Sequence, residues 1–348
     1  MDTTQFSGAR RRLAGLALAA ALLGAAATPA AAAVSSGTIY AGGLNTPGGS
    51  VWLGTHLWAT DHVAGLCRLD PAPATAKLPA GSLAPNAATC VLPGVAGGQP
   101  SFDPATNFVY VPDNSTKGNA VYRLSFNALS ETVQNPVALG VGAVVAGTKP
   151  TATVLGPDGN LYVSFIKSNQ ILRITSPAGA APTAQYIGTG TDRLAKGTTG
   201  LAFANASDGS ATTSLYLAEG GGISEIANAT ACTGGCSATM TDIVVPTTVN
   251  GALVTWETLD VVAAPSSPNV LYVAKWAPHN FGPATTIVQY TIGAPSAVDY
   301  STSYTAPDGK LQPWTTVTDL APNPAGGMFV AHDPTNGGTN GALISRLP

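Results

Sequence analysis

A five-residue pattern recurs six times along the chain, and it limits the fold more than any other feature. The copies are Leu57–Asp61 (LWATD), Val109–Asp113 (VYVPD), Leu161–Phe165 (LYVSF), Leu215–Glu219 (LYLAE), Leu271–Lys275 (LYVAK) and Met328–His332 (MFVAH). Their starts lie 52, 52, 54, 56 and 57 residues apart. Each copy runs apolar, aromatic, then apolar or small, which suits a strand covered on both faces. Turns rich in Gly, Pro, Asn and Asp precede several copies, among them residues 156–160 (GPDGN). A second apolar run with a basic residue follows, as in residues 172–174 (LRI).

Each period reads as strand a, turn, strand b, loop, strand c and a weaker strand d. In the third, a covers Lys149–Leu155, b 161–165, c Gln170–Ile174 and d Ala184–Gly188. Six such units predict an all-β chain, a six-bladed β-propeller of four-stranded antiparallel blades. Packing blade against blade explains why both faces of strand b are apolar. The sixth unit reaches only strand c before Pro348, while Ser36–Gly42 stands ahead of the first unit with no partner. That segment is expected to supply the last outer strand and close the ring, hiding its edges.

Residues 149–174 (KPTATVLGPDGNLYVSFIKSNQILRI) resemble one blade of the NHL, gluconolactonase and streptogramin-lyase group of propellers, and residues 101–124 (SFDPATNFVYVPDNSTKGNAVYRL) are similar. The resemblance implies the fold. It leaves the activity open, because that group includes lyases, lactonases and binding modules.

The amino terminus reads as an export signal. Arg10, Arg11 and Arg12 precede an apolar run from Leu13 to about Ala27, and a small-residue stretch ends at Ala33. Residues 1–33 are therefore expected to be a cleaved signal peptide and 34–348 a single propeller domain, periplasmic or secreted from a bacterium. The signal suits the Sec route, and the Arg pair partly fits a twin-arginine signal. No second long apolar run follows, so no membrane insertion is expected after cleavage. The remaining 315 residues carry 12 Lys/Arg and 17 Asp/Glu. Without clustered basic residues, nucleic acid is excluded as a partner. An even set of four cysteines in an exported chain favours disulfides. Cys67 and Cys90 fall on adjacent strands of the first unit, and Cys232 and Cys236 enclose a Thr-Gly-Gly turn, so the pairs 67–90 and 232–236 are expected.

In such a ring the b–c loops and the starts of strand a share one face around the central channel. The last residues of the six b motifs are Asp61, Asp113, Phe165, Glu219, Lys275 and His332, and five of these ionise in a chain that is only 9% charged. His62 and His279 follow in the b–c loops, and aligning the starts of strand a adds Trp256, Glu257 and Trp314 to the same mouth. The loops after Lys275 and His332 are the longest: 14 residues separate Lys275 from Gln289 and His332 from Arg346, against 6 to 10 elsewhere. A divalent metal suits neutral imidazole with carboxylate, so His279 and His332 are the candidate ligands, with Glu219 and Glu257 as acid/base partners. The resemblance supports this reading, since streptogramin lyases set channel-mouth His and acidic residues around a metal. Trp256, Lys275, Trp276, Trp314, Asp61, His62 and Asp113 are the candidate ligand-binding residues. The simpler alternative makes Asp61 and Asp113 turn residues that accept backbone N–H groups, and each Trp a wedge between blades.

The expected function is that of a monomeric binding or scaffold module offering this face to a small molecule, metal or partner protein. The alternative is a metal-dependent lyase or hydrolase, with a divalent ion as its cofactor.

Overall fold

Short strands joined by Gly, Pro and Asx turns fold into the ring that the spacing predicts. The computed structural model describes residues 35–70, 89–95, 97–115, 120–139, 149–166, 168–190, 199–210, 212–219, 222–241, 247–249, 252–254, 257–264, 267–276, 285–295, 297–306, 308–333 and 342–348. The signal segment 1–33 and its boundary lie outside these residues, as do Trp256 and His279.

The chain begins with β1 (Ser36–Leu44). Blade one follows as β2 (Pro47–Leu53), β3 (His56–Asp61), β4 (Gly65–Leu69) and β5 (Cys90–Val91). Blade two is β6 (Ser101–Asp103), β7 (Phe108–Pro112), β8 (Val121–Asn127) and β9 (Thr132–Ala138). Blade three is β10 (Pro150–Leu155), β11 (Leu161–Phe165), β12 (Ser168–Thr175) and β13 (Thr183–Thr189), within a residue or two of the strands read from sequence. Blade four holds β14 (Leu201–Asn205), β15 (Thr213–Glu219), β16 (Gly222–Ile226) and, after a short β17 (Cys236–Ser237), β18 (Thr239–Thr241). A hairpin of β19 (Thr247–Val249) and β20 (Ala252–Val254) leads to blade five: β21 (Glu257–Ala264), β22 (Ser267–Trp276), β23 (Thr285–Thr291) and β24 (Val298–Ser301). After β25 (Ser303–Thr305) and β26 (Leu311–Pro313), blade six runs β27 (Thr316–Pro322), β28 (Met328–Asp333) and β29 (Ala342–Leu347). Within each blade the strands pair antiparallel in chain order.

The ring closes as expected. β1 pairs antiparallel with β29, with Thr38 opposite Arg346 and Leu44 opposite Ala342, so the first described strand is the fourth strand of the last blade. β25 then adds to β1 in parallel, and β26 extends that sheet outward. β1 thus covers the free edge that β29 would otherwise present.

Among the described residues, each hydrophobic cluster lies between neighbouring blades. Blades two and three share Tyr110, Leu161 and Leu172, and blades five and six share Ile287, Trp314 and Val330. The seam between blades six and one is built the same way, from Ala41, Leu57 and Phe329. The apolar-aromatic-apolar b motif exists for this packing: its alternate side chains bury against two different neighbours. Both expected disulfides are formed, Cys67–Cys90 across β4 and β5 and Cys232–Cys236 within one turn. No helix among the described residues is long and apolar enough to cross a membrane.

Candidate functional site on the propeller axis

The first strand of each blade faces the axis, and a recurring irregularity decides which side chains point there. Register shifts fall between Pro47 and Gly49 in β2, Pro150 and Ala152 in β10, Thr258 and Asp260 in β21, and Val317 and Asp319 in β27. An extra residue in one strand changes the face that the following residues present. Just past the shift, the inner residue sits opposite the fourth residue of the b motif: Gly49 opposite Thr60, Ala152 opposite Ser164, Asp260 opposite Ala274, and Asp319 opposite Ala331. Equivalent positions thus carry a hydrogen or methyl in blades one and three, and carboxylates in blades five and six.

Those two carboxylates help line an axial cavity of about 200 Å³, together with Gly48, Gln99, Thr151, Thr199 and Thr316. The cavity lies at the end where strand a starts and the b–c loops gather. Asp260 is 2% exposed and Asp319 is 1% exposed. One Asp260 oxygen accepts the Leu320 N–H at 2.6 Å and the other accepts the Val261 N–H at 2.8 Å. One Asp319 oxygen accepts the Ser50 hydroxyl at 2.7 Å, while its Oδ1 is buried without a hydrogen-bond partner. Gly200 leaves the room that Asp260 fills, since a Cβ there would collide with Asp260 Oδ1.

Burial raises both carboxyls above the ordinary range. For Asp260 the two backbone N–H bonds pull the other way. For Asp319 the charge of Asp260 adds to the rise and the Ser50 contacts oppose it. Burial and mutual repulsion therefore favour the protonated form of both carboxyls. The pair therefore offers a donor and an acceptor to the same space.

Gln99 closes the floor of this cavity. Its side-chain oxygen accepts the Leu201 N–H at 3.1 Å and its amide nitrogen approaches the Leu201 carbonyl at 3.5 Å, reaching from the start of blade two to blade four. A second axial cavity, of about 430 Å³, begins on its other side and opens toward the a–b turns.

The residues singled out from the sequence sit one layer further out. Strand b is second from the axis, so the end of a b motif faces a turn or a neighbouring blade. Asp61 accepts the N–H groups of Asn45, Val63 and Ala64, and Asp113 accepts that of Ser115, which is the turn role. His62 is half-buried, and burial pushes its pKa down against the charge of Asp61. Glu219 is buried at the end of β15 and accepts the Ser224 hydroxyl. Lys275 reaches outward across its own sheet to Asp299 at 3.4 Å.

His332 and Trp314 were expected at the open mouth, and the structure places both in the core of blades five and six. His332 is 0% exposed, with Nε2 2.9 Å from the Ser345 hydroxyl. Its ring packs on Tyr304 and meets Trp314 edge to face. Burial pushes its pKa down to about 3, so the ring is neutral. Trp314 is fully buried, stacks on Tyr304 and donates its indole N–H to Ser301. The physical reason is β25: that strand packs beside β1 and covers this side of blade six.

Glu257 opens β21 opposite Trp276. His279 and Trp256 lie outside the described residues. Among the described residues no group of three or more His, Cys, Asp or Glu is placed to hold a metal ion, and His279, one of the two expected ligands, is not among them. Sequence reasoning missed Asp260, Asp319 and Gln99. The available signal was an Asp two or three residues into strand a, in TLDV and VTDL, where blades one and three carry Gly49 and Ala152.

Neither a protein-family model nor a curated protein sequence matches the chain. Solved structures match over nearly all of it. A calcium structure of Trichoderma reesei carbohydrate-active enzymes family AA12 is 14% identical, covers 91% of this chain and 96% of its own, and has a TM-score of 0.55. Regucalcin, a calcium-binding protein from Agrobacterium tumefaciens, is 11% identical over 89% and 96%, with a TM-score of 0.54. The PQQ-bound aldose sugar dehydrogenase from Streptomyces coelicolor is 17% identical over 89% and 96%, at 0.51. At these identities the likeness is one of fold. The resemblance read from blades two and three thus extends to the architecture of the whole ring.

Proposed function

We propose that this chain is an exported propeller that binds a small ligand at the mouth end of its axis, with Asp260 and Asp319 as the polar anchor. The observation that carries the reading is Asp319 Oδ1: a carboxyl oxygen 1% exposed as part of its residue, without a hydrogen-bond partner, in a cavity walled mainly by threonine. A buried polar atom left unpaired costs about 1–3 kcal/mol, which a bound donor or cation recovers. The ligand therefore brings a hydrogen-bonding group, or a cation that displaces the proton, to this point. Two disulfides agree with an oxidising compartment and so with export.

A hydrolase or lyase is the second reading, and the same pair favours it. Two neighbouring carboxyls held protonated by burial are suited to general acid chemistry, and the one that gives up its proton can then act as the base. The propellers that share this fold include a sugar dehydrogenase, so the architecture accommodates catalysis. A partner protein on the loop face is compatible with either reading.

A thermal-shift screen of primary amines, monosaccharides and divalent cations tests the first reading, with each hit titrated by calorimetry. At least one hit should lose tenfold or more in affinity in Asp319→Asn and keep its affinity in Ser101→Ala, which lines the second cavity beyond Gln99. If every hit binds Asp319→Asn as well as the parent, the anchor is wrongly placed. Turnover of δ-lactones and aryl esters, abolished in both Asp260→Asn and Asp319→Asn, would establish the enzyme reading. Elemental analysis of the purified protein and of a His279→Ala variant tests for a divalent ion bound through that loop.

A further inference from the structure

We propose that the wide end of the axis is a separate ligand site, for a neutral molecule of one or two rings that carries one hydrogen-bond donor at its inner end. The cavity of about 430 Å³ on this side of Gln99 is lined by all six inner strands, and none of its lining residues is charged. That volume falls in the range of small-molecule sites, which are mostly apolar with a few placed polar groups.

The walls are rings held from behind. Trp52 stacks on Phe329 with centroids 5.5 Å apart, Phe102 meets Phe126 edge to face, and Phe203 meets Tyr162 the same way. The Trp52 indole N–H is already given to the Gly54 carbonyl at 2.9 Å. Trp52 therefore offers the cavity an apolar ring and no donor. Preset aromatic walls select a flat apolar body and cost little ordering on binding.

The inner end sets the polarity. Ser50 gives its hydroxyl proton to Asp319, and Ser101 gives its proton to Thr153 Oγ1 at 3.1 Å. Thr153 in turn donates to the backbone carbonyls of Gln99 or Tyr110, each at 3.2 Å. The Gln99 amide is engaged by Leu201 at both its oxygen and its nitrogen. With these protons committed, Ser50 and Ser101 present lone pairs to the cavity. A ligand that donates one O–H or N–H satisfies them. A carboxylate meets the lone pairs of both hydroxyls in an uncharged lining, with only the second Gln99 N–H to receive it, and is disfavoured. This site is distinct from the carboxylate cavity and stands whether or not the function proposed for that cavity holds.

2-Naphthol, 2-methoxynaphthalene and 2-naphthoate are suitable probes, titrated by calorimetry against the full mature chain. 2-Naphthol should bind with a stoichiometry of one. The methyl ether, with the same rings and no donor, should bind at least about fivefold more weakly, the worth of one net hydrogen bond. The naphthoate anion should bind at least tenfold more weakly than 2-naphthol. Ala263→Phe should abolish 2-naphthol binding, and Val154→Trp, from a different wall, serves the same purpose if that variant misfolds. Ser101→Ala should narrow the difference between the naphthol and its ether. Absence of 2-naphthol binding, equal binding of naphthol and naphthoate, or binding unchanged in a folded blocking variant would overturn the proposal.

Discussion

The Ser50 hydroxyl donates to the Asp319 carboxylate across 2.7 Å and 269 residues of sequence, tying the inner strand of the first blade to that of the last. The bond lies at the seam where the ring closes, and it holds one half of the buried acid pair in place.

That pair should make the protein less stable as pH rises. Both carboxyls have folded pKa values above their unfolded value near 3.9, so the folded state holds protons that the unfolded state has released. Their contribution is complete below that unfolded value and is lost as pH climbs toward the folded values. Urea unfolding at pH 4 and pH 7 should show the parent losing up to about 1.4 kcal/mol per pH unit for each group, and Asp319→Asn should flatten the slope. Equal pH dependence in both proteins would refute it.

His332 acts in the opposite direction. Its folded pKa is depressed to about 3, so the stability it allows is present above the unfolded value near 6.5 and lost as pH falls from there. Replacing His332 by Phe in its aromatic cage should reduce acid sensitivity between pH 6 and pH 4, read as a smaller fall in Tm than the parent shows.

Ring closure depends on Gly37. A Cβ at that position would stand 2.7 Å from the Trp314 ring, which is itself fully buried. Gly37→Val should cost about 1–3 kcal/mol by overpacking. The exposed neighbour Thr38, replaced by Val, should change stability by no more than about 0.5 kcal/mol. Thermal unfolding of the two variants side by side distinguishes a packed closing strand from a loosely held one.

The two disulfides should differ in worth. Cys67–Cys90 spans 23 residues and Cys232–Cys236 spans 4. Constraint of the unfolded chain gives about 3.5 kcal/mol for the longer loop and about 2 kcal/mol for the shorter. Paired Cys→Ser variants, unfolded in urea, should rank in that order.

The blades were legible because their signal is local. The b motif, its preceding turn and the basic residue of strand c all sit within one repeat, and Ser36–Gly42 was recognisable as the only strand without a partner. The candidate site was far less legible. Asp61 and Asp113 read equally well as turn residues or as ligand contacts, and the structure shows them capping turns. His332 and Trp314 ended short motifs that point toward the mouth in sequence, but β25 and β1 cover that side of blade six.

By itself, then, the sequence determined the strand content, the number of units, the outer strand that closes them and the pairing of the four cysteines. Each follows from alternation, turn chemistry and spacing, which act over a few residues or one period. Only the tertiary structure decided that Asp260 and Asp319 share a cavity. One extra residue in an inner strand changes the face of every side chain after it, and the two residues meet only because six inner strands converge on one axis.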